Sequence, residues 1–270
     1  MMNDSLAPQK ETWANGARYE PYVGRWSRVV AREFVSWLNV PTNRRWLDVG
    51  CGTGALSQTI LGLAAPLSIK GIDRSAGYVA YARQQISDNR VQFGVGDAQA
   101  LPVETARCDA VVSGLVLNFI PDPGRMIAEM ARATKPKGVA AAYVWDYSGK
   151  MQLMRHFWDA AVALDPDAQD LDEGRRFTLC QPGPLLELFE GVGLERVKVR
   201  SVEIATEFHD FEDYWLPFLG GQGSAPGYVQ TLSEEARQAL CERIKAGLPI
   251  ASDGSIRLLA RAWAVRGYRQ

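Results

Sequence analysis

Three glycines at alternate positions, Gly50, Gly52 and Gly54, break the stretch RRWLDVGCGTGALSQTILGLAA between an apolar run and a helical pattern. A loop without Cβ atoms at every second position can take positive φ and lie flat against a ligand. The helix that follows points its first N–H groups to the same place. A plain tight turn is the alternative, and it needs fewer glycines. The chain repeats this strand–helix alternation. LSIKGID, RVQFGVGD, CDAVVSGLVLNF and GVAAAYVWD read as four further strands, and SAGYVAYARQQI and GRMIAEMARAT as helices, with Ser75 as an N-cap. Residues 24–38 carry apolar side chains at helical spacing, a helix that Pro41 ends. Strands separated by helices of this length imply a parallel sheet covered on both faces.

Beyond Asp146 the alternation loosens. GKMQLMRHFWDAAVAL reads as a helix, and the acidic stretch DPDAQDLDEGRRFTLCQPG as a loop or short cap. PLLELFEGVG and LERVKVRSVEIATEF read as helix then strand, and SIRLLARAWAVRG as a last strand. Residues 212–254 interrupt with helix signals, with Thr231 and Glu234 at capping-box spacing.

Composition excludes several classes. A net charge of −1 gives no electrostatic reason for a nucleic-acid partner. No run of about 18 apolar residues exists to span a membrane. The first residues lack an apolar signal segment, so a cytoplasmic location is expected. Cys51, Cys108, Cys180 and Cys241 show no CxxC pairing, which points to reduced thiols and no metal site.

The ligand of the glycine loop follows from its acid. The order G-C-G-T-G departs from the G-x-G-x-x-G of dinucleotide sites, and Asp48 faces badly toward a pyrophosphate. A carboxylate there suits a cationic ligand, and S-adenosylmethionine carries an ammonium and a sulfonium. Asp73 ends the second strand and suits a ribose diol. Asp97, with the Ala98 N–H beside it, ends the third and suits an adenine amine. Each acid alone also reads as a helix cap or turn former.

LDVGCGTGALS, GIDRS, GDAQALP and FIPDPGRMIAEMARATKPKGVAA resemble the successive motifs of class I S-adenosylmethionine-dependent methyltransferases, closest to the small-molecule branch of ubiquinone and menaquinone biosynthesis. The resemblance covers residues 40–147. It implies an α/β, Rossmann-like, doubly wound seven-stranded sheet with its last strand antiparallel, together with helical cap elements. It implies S-adenosyl-L-methionine as cofactor, held by Asp48, Gly50, Cys51, Gly52, Gly54, Asp73, Arg74, Asp97, Ala98, Ser113 and Leu115. The segment RYEPYVGRWS resembles the lid helix of that branch, which adds Tyr22, Arg25 and Trp26; a surface amphipathic helix is the alternative. The implied organisation is lid helices over 1–39, a cofactor core over 40–147, and substrate-side helices, an insertion and final strands over 148–270 that complete the same domain.

The expected activity is methyl transfer to O, N or C of a small molecule. The alternative is a cofactor-binding regulatory or scaffold protein without turnover. Where many members carry histidine in LVLHHIPD, this chain has Asn118, so no histidine base is assigned. Asn118, Tyr147 and His156 are the catalytic candidates. Aromatic residues after the fifth strand, among them Trp145, Tyr147, Phe157 and Trp158, suit a flat or apolar acceptor; Phe211, Tyr214, Trp215, Phe218 and Tyr228 form a second such group. Core packing accounts for the same residues equally well. The fourth strand lacks the proline pair of methyltransferases that act on DNA bases, which disfavours a nucleic-acid substrate.

Overall fold

The computed structural model describes residues 20–220 and 223–270. After a single wide helical turn at Glu20–Gly24, the elements run α1 (Arg25–Leu38), β1 (Arg45–Val49), α2 (Ala55–Ala64), β2 (Ser68–Asp73), α3 (Ala76–Gln85), β3 (Val91–Val95), β4 (Cys108–Gly114), α4 (Pro123–Ala133) and β5 (Thr134–Trp145). Then follow α5 (Gln152–Leu164), α6 (Glu173–Arg176), α7 (Pro182–Gly191), β6 (Glu195–Phe208), α8 (Phe211–Trp215), α9 (Ser224–Thr231), α10 (Glu234–Gly247) and β7 (Ile256–Tyr268).

The strands form one seven-stranded sheet in the order β3-β2-β1-β4-β5-β7-β6. β1 to β5 are parallel, and β7 runs antiparallel to both β5 and β6. This is the doubly wound sheet with an antiparallel last strand that the motifs implied. The chain winds outward from β1 to β3, then returns to lay β4 on the other side of β1. The connections leave β1 and β4 in opposite directions, and a crevice opens at their carboxyl ends.

Local chemistry explains the elements. The central strands are covered on both faces, so β1 and β4 are buried along nearly their whole length rather than at alternate residues. Ala140, Ala141 and Ala142 keep the middle of β5 thin, and Phe34 of α1 packs its ring 4.7 Å from Tyr143. Ser75 caps α3 by accepting from the Tyr78 N–H, and Asp122 caps α4 by accepting from that of Arg125.

The structure departs from the sequence reading at element ends. α1 stops at Leu38 because Asn39 takes the left-handed conformation, two residues before Pro41. The cap of α10 is Ser233, which accepts from the Ala236 N–H; Thr231 instead bonds back to the Tyr228 carbonyl. The acidic stretch folds into a turn at Pro166–Leu171 and the short α6, started by Asp165 and Asp172. No described helix is long and apolar enough to cross a membrane.

Candidate active site

The glycine loop runs from β1 into α2 with φ values of +74°, +50° and +89° at Gly50, Gly52 and Gly54. It is stitched to β2: the Gly50 and Cys51 N–H groups both donate to the Ile72 carbonyl, at 2.7 and 3.0 Å. A methyl on Gly50 would sit 2.7 Å from Val116, whereas one on Gly52 would meet nothing within 4 Å. At Gly52 the bare backbone faces open space. That space is a cleft of about 1210 Å³ at the carboxyl ends of the parallel strands.

Asp48 stands behind this loop, fully buried. Its Oδ2 accepts from the Ser57 hydroxyl at 2.7 Å, and its Oδ1 has no hydrogen-bond partner. Burial pushes its carboxyl up to about 7, against the pull of Ser57, with Asp73 adding repulsion. A buried carboxylate with an unmet oxygen is costly unless a cation arrives. Asp73 ends β2 and is 8% exposed. Its Oδ2 accepts from the Gly52 N–H at 2.9 Å and its Oδ1 from the Ser75 N–H at 2.8 Å. Burial raises its carboxyl, and those two N–H groups oppose the rise. Asp97 is exposed, and the Gln99 N–H on its Oδ1 lowers its carboxyl. The three acids thus share one cleft but not one environment.

Of the sequence-derived cofactor set, Asp48, Gly50, Cys51, Gly52, Asp73, Arg74, Asp97, Ala98 and Leu115 line this cleft. Gly54 sits at the start of α2 without lining it. Leu115 holds a positive φ of +61°, uncommon for a bulky residue, with its N–H on the Tyr143 carbonyl at 2.8 Å. Ser113 lies outside the cleft lining, buried, its hydroxyl unpartnered.

The lid residues correct the expectation. Arg25 lies outside the cleft lining and pairs with Asp213 at 2.8 Å, its guanidinium over the rings of Trp26 and Phe208. Trp26 packs edge-on against Phe208 and Tyr22 against Phe218. This part of the segment is core, and it ties α1 to the late insertion. Its neighbours Val23 and Ser27 face the cleft instead. Tyr19 and the rest of 1–19 lie outside the described residues. Arg25→Ala should therefore leave cofactor affinity within about twofold and lower the melting temperature by only a few degrees, as partly exposed ion pairs and cation–π contacts contribute about 1 kcal/mol each. Calorimetry and thermal melts check both.

Asn118 and Tyr147 line the cleft. His156 does not; it is half-buried on α5, where desolvation lowers its imidazole. Of the aromatic clusters, Trp145 and Tyr147 face the cleft. Phe157 stacks on Phe218 at 4.6 Å, Tyr214 donates to the Leu153 carbonyl, and Trp158 bonds Glu173: these build the core beneath the cap helices. Sequence reasoning missed Arg176 and Phe177 in the cleft wall, because nothing in a polar stretch marks which side chains turn inward. No group of three or more His, Cys, Asp or Glu among the described residues could hold a metal ion. Asp146 is tied to Arg261 at 2.6 Å.

Residues 47–142 match the family described as a methyltransferase domain. The chain is 25% identical over 211 residues to a malonyl-[acyl-carrier protein] O-methyltransferase of Acetivibrio thermocellus, covering 75% of this chain and 73% of that one. It is 32% identical over 137 residues to a demethylmenaquinone methyltransferase of Renibacterium salmoninarum, covering 51% and 54%. A stretch of 123 residues is 35% identical to a tRNA (carboxymethyluridine(34)-5-O)-methyltransferase of Mus musculus, covering 44% and 17%. The chain thus spans 73%, 54% and 17% of these relatives' lengths. In fold it is similar to phosphoethanolamine N-methyltransferase 2 of Haemonchus contortus in complex with S-adenosyl-L-methionine, with a TM-score of 0.56, 17% identity and coverage of 91% and 53%.

Proposed function

We propose that this chain, which belongs to the class I S-adenosylmethionine-dependent methyltransferases, transfers the cofactor's methyl group to a small-molecule acceptor held in the same cleft. The observation that carries this reading is the buried Asp48 carboxylate, whose Oδ1 lacks a partner behind a glycine loop open at Gly52. That pairing fits a ligand with a cationic amino-acid end, met directly or through one bridging water. Asp73 fits the ribose, since each of its oxygens keeps a lone pair beyond the one its backbone N–H uses. Asp97 and the Ala98 N–H fit the adenine edge at the mouth of the cleft. Arg74 adds a cation beside them.

Bound S-adenosylmethionine supplies a methyl group already activated on a positive sulfur. The protein's part is alignment and exclusion of water. The glycine loop and Leu115 fix one wall by backbone bonds to neighbouring strands. Val23 of the first helical turn and Ser27 of α1 add a further part of the lining. The cleft's volume exceeds the roughly 300–1,000 Å³ of a site for one drug-sized ligand, so an acceptor fits beside the cofactor. A small molecule is favoured over a tRNA base by a net charge of −1, which gives little pull on phosphates.

The test is methyl transfer from labelled S-adenosylmethionine to a panel of small hydroxyl, amine and carbon acids, with tRNA as a further arm. A labelled small product is expected. Transfer to tRNA alone would overturn the small-molecule reading. Cofactor binding with no labelled product from any arm would favour a binding protein without turnover.

A further inference from the structure

The cleft wall changes character across the switch point. The ends of β1 and β2 and the loop after β3 bring the three acids. The loops after β4 and β5, with the end of α6, bring Asn118, Phe119, Tyr147, Arg176 and Phe177. Phe177 joins these segments through its ring, 5.1 Å from Phe119 and 5.4 Å from Tyr147. The Arg176 guanidinium lies 5.3 Å over Phe177 and donates to the Ser224 hydroxyl at 2.6 Å. In the same wall, the Asn118 side chain keeps both its nitrogen and its oxygen buried without a hydrogen-bond partner. A buried amide in that state is unfavourable, and a ligand group that both donates and accepts relieves it.

We propose that this half of the cleft binds a hydroxylated aromatic carboxylic acid as the methyl acceptor. Its ring lies against Phe119, Tyr147 and Phe177, its hydroxyl meets the Asn118 amide, and its carboxylate meets Arg176. The proposal rests on the methyltransferase reading above. Three separate features each select one part of the molecule. Offset and edge-on ring contacts select a flat ring. The two unmet halves of an amide select a hydroxyl, which donates and accepts. The planar fork of a guanidinium selects a carboxylate. Orientation follows from charge: Asp48, Asp73 and Asp97 repel the carboxylate, so it points toward Arg176 and the hydroxyl toward the cofactor. In the transfer, a lone pair of the hydroxyl oxygen forms the new O–C bond as the C–S bond breaks. The C–S pair stays on sulfur, and the hydroxyl proton passes to solvent.

The experiment is a calorimetric titration of the full chain, saturated with S-adenosylhomocysteine, with 4-hydroxybenzoate, 4-hydroxycinnamate, phenol and cyclohexanecarboxylate. At least one of the two hydroxy acids should bind tenfold or more tightly than phenol and than the non-aromatic acid. Arg176→Gln should abolish the preference over phenol while leaving the affinities for phenol and S-adenosylhomocysteine within twofold, and Arg176→Lys should restore part of it. Asn118→Leu should weaken the acid and phenol alike. If S-adenosylhomocysteine binds but neither acid exceeds phenol, or the preference survives in Arg176→Gln, this assignment fails while the methyltransferase reading stands. If S-adenosylhomocysteine does not bind at all, the methyltransferase reading fails first.

Discussion

Asp48→Ala weakens S-adenosylhomocysteine binding by about two orders of magnitude or more, and Asp48→Asn comes close to it, yet both variants melt higher than the parent chain without ligand at pH 8. The expectation comes from one side chain placed for a partner it lacks in the free protein. Removing one member of a buried charge pair typically costs about 3–5 kcal/mol, or about two to nearly four powers of ten in affinity. Without the ligand the same carboxylate is a burden. A rise from 3.8 to about 7 corresponds to on the order of 4 kcal/mol for keeping it ionised in the folded state. The sign follows from the unfolded chain, where the carboxyl ionises near its ordinary value. Between that value and about 7 the folded state binds the extra proton, so the stability of the ligand-free protein falls as pH rises and levels off above 7. Cofactor affinity runs the other way, rising through pH 7 as Asp48 ionises. Asn keeps an acceptor for Ser57, loses the charge, and flattens both profiles. Thermal melts and titrations at pH 5, 6, 7 and 8 read all of this. A parent affinity independent of pH would detach Asp48 from the ligand.

Asp73→Ala should lose ten- to a hundredfold in affinity, from the about 1.5–3 kcal/mol of a charged hydrogen-bond partner, and Asp73→Asn should lose less because it keeps one acceptor. A second role complicates the alanine variant. Asp73 also holds the Gly52 and Ser75 N–H groups, so its removal loosens the glycine loop. The two roles separate in a cycle with 2′-deoxy S-adenosylhomocysteine. If the carboxylate reads the ribose, the parent chain prefers the 2′-hydroxyl form and the alanine variant does not. Equal preference in both would leave Asp73 as a loop anchor alone.

How legible the site was depended on distance along the chain. The glycine loop, Asp48 and Asp73 were readable because the physics is local: alternate glycines permit the positive φ values, and an acid at a strand end lies next to the turn it serves. The sheet was readable because strand and helix periods alternate cleanly up to Asp146. The cap residues were not. Arg25 reads as a cation near the site, but its partner Asp213 lies 188 residues away, and only the fold brings them together. Phe157, Tyr214 and Phe218 look like a ring-lined pocket in sequence, and Phe218 packs against both of the others in the core instead. Arg176 and Phe177 sit in a stretch whose polar composition hides their inward turn. Ser233 replaced Thr231 as the cap of α10 because two acceptors lay within two residues, and backbone geometry chose between them.

We propose that one cleft, anchored by Asp48, Asp73 and Asp97, holds S-adenosylmethionine. The most direct measurement is a crystal structure of the full chain with S-adenosylhomocysteine. It should show the amino-acid end against Gly52 and in front of Asp48, the ribose hydroxyls on Asp73, and the adenine beside Asp97 and Ala98, with the wall at Asn118, Arg176 and Phe177 left for the acceptor. A ligand bound elsewhere, or one lying in the cleft with its ribose turned away from Asp73, would contradict it.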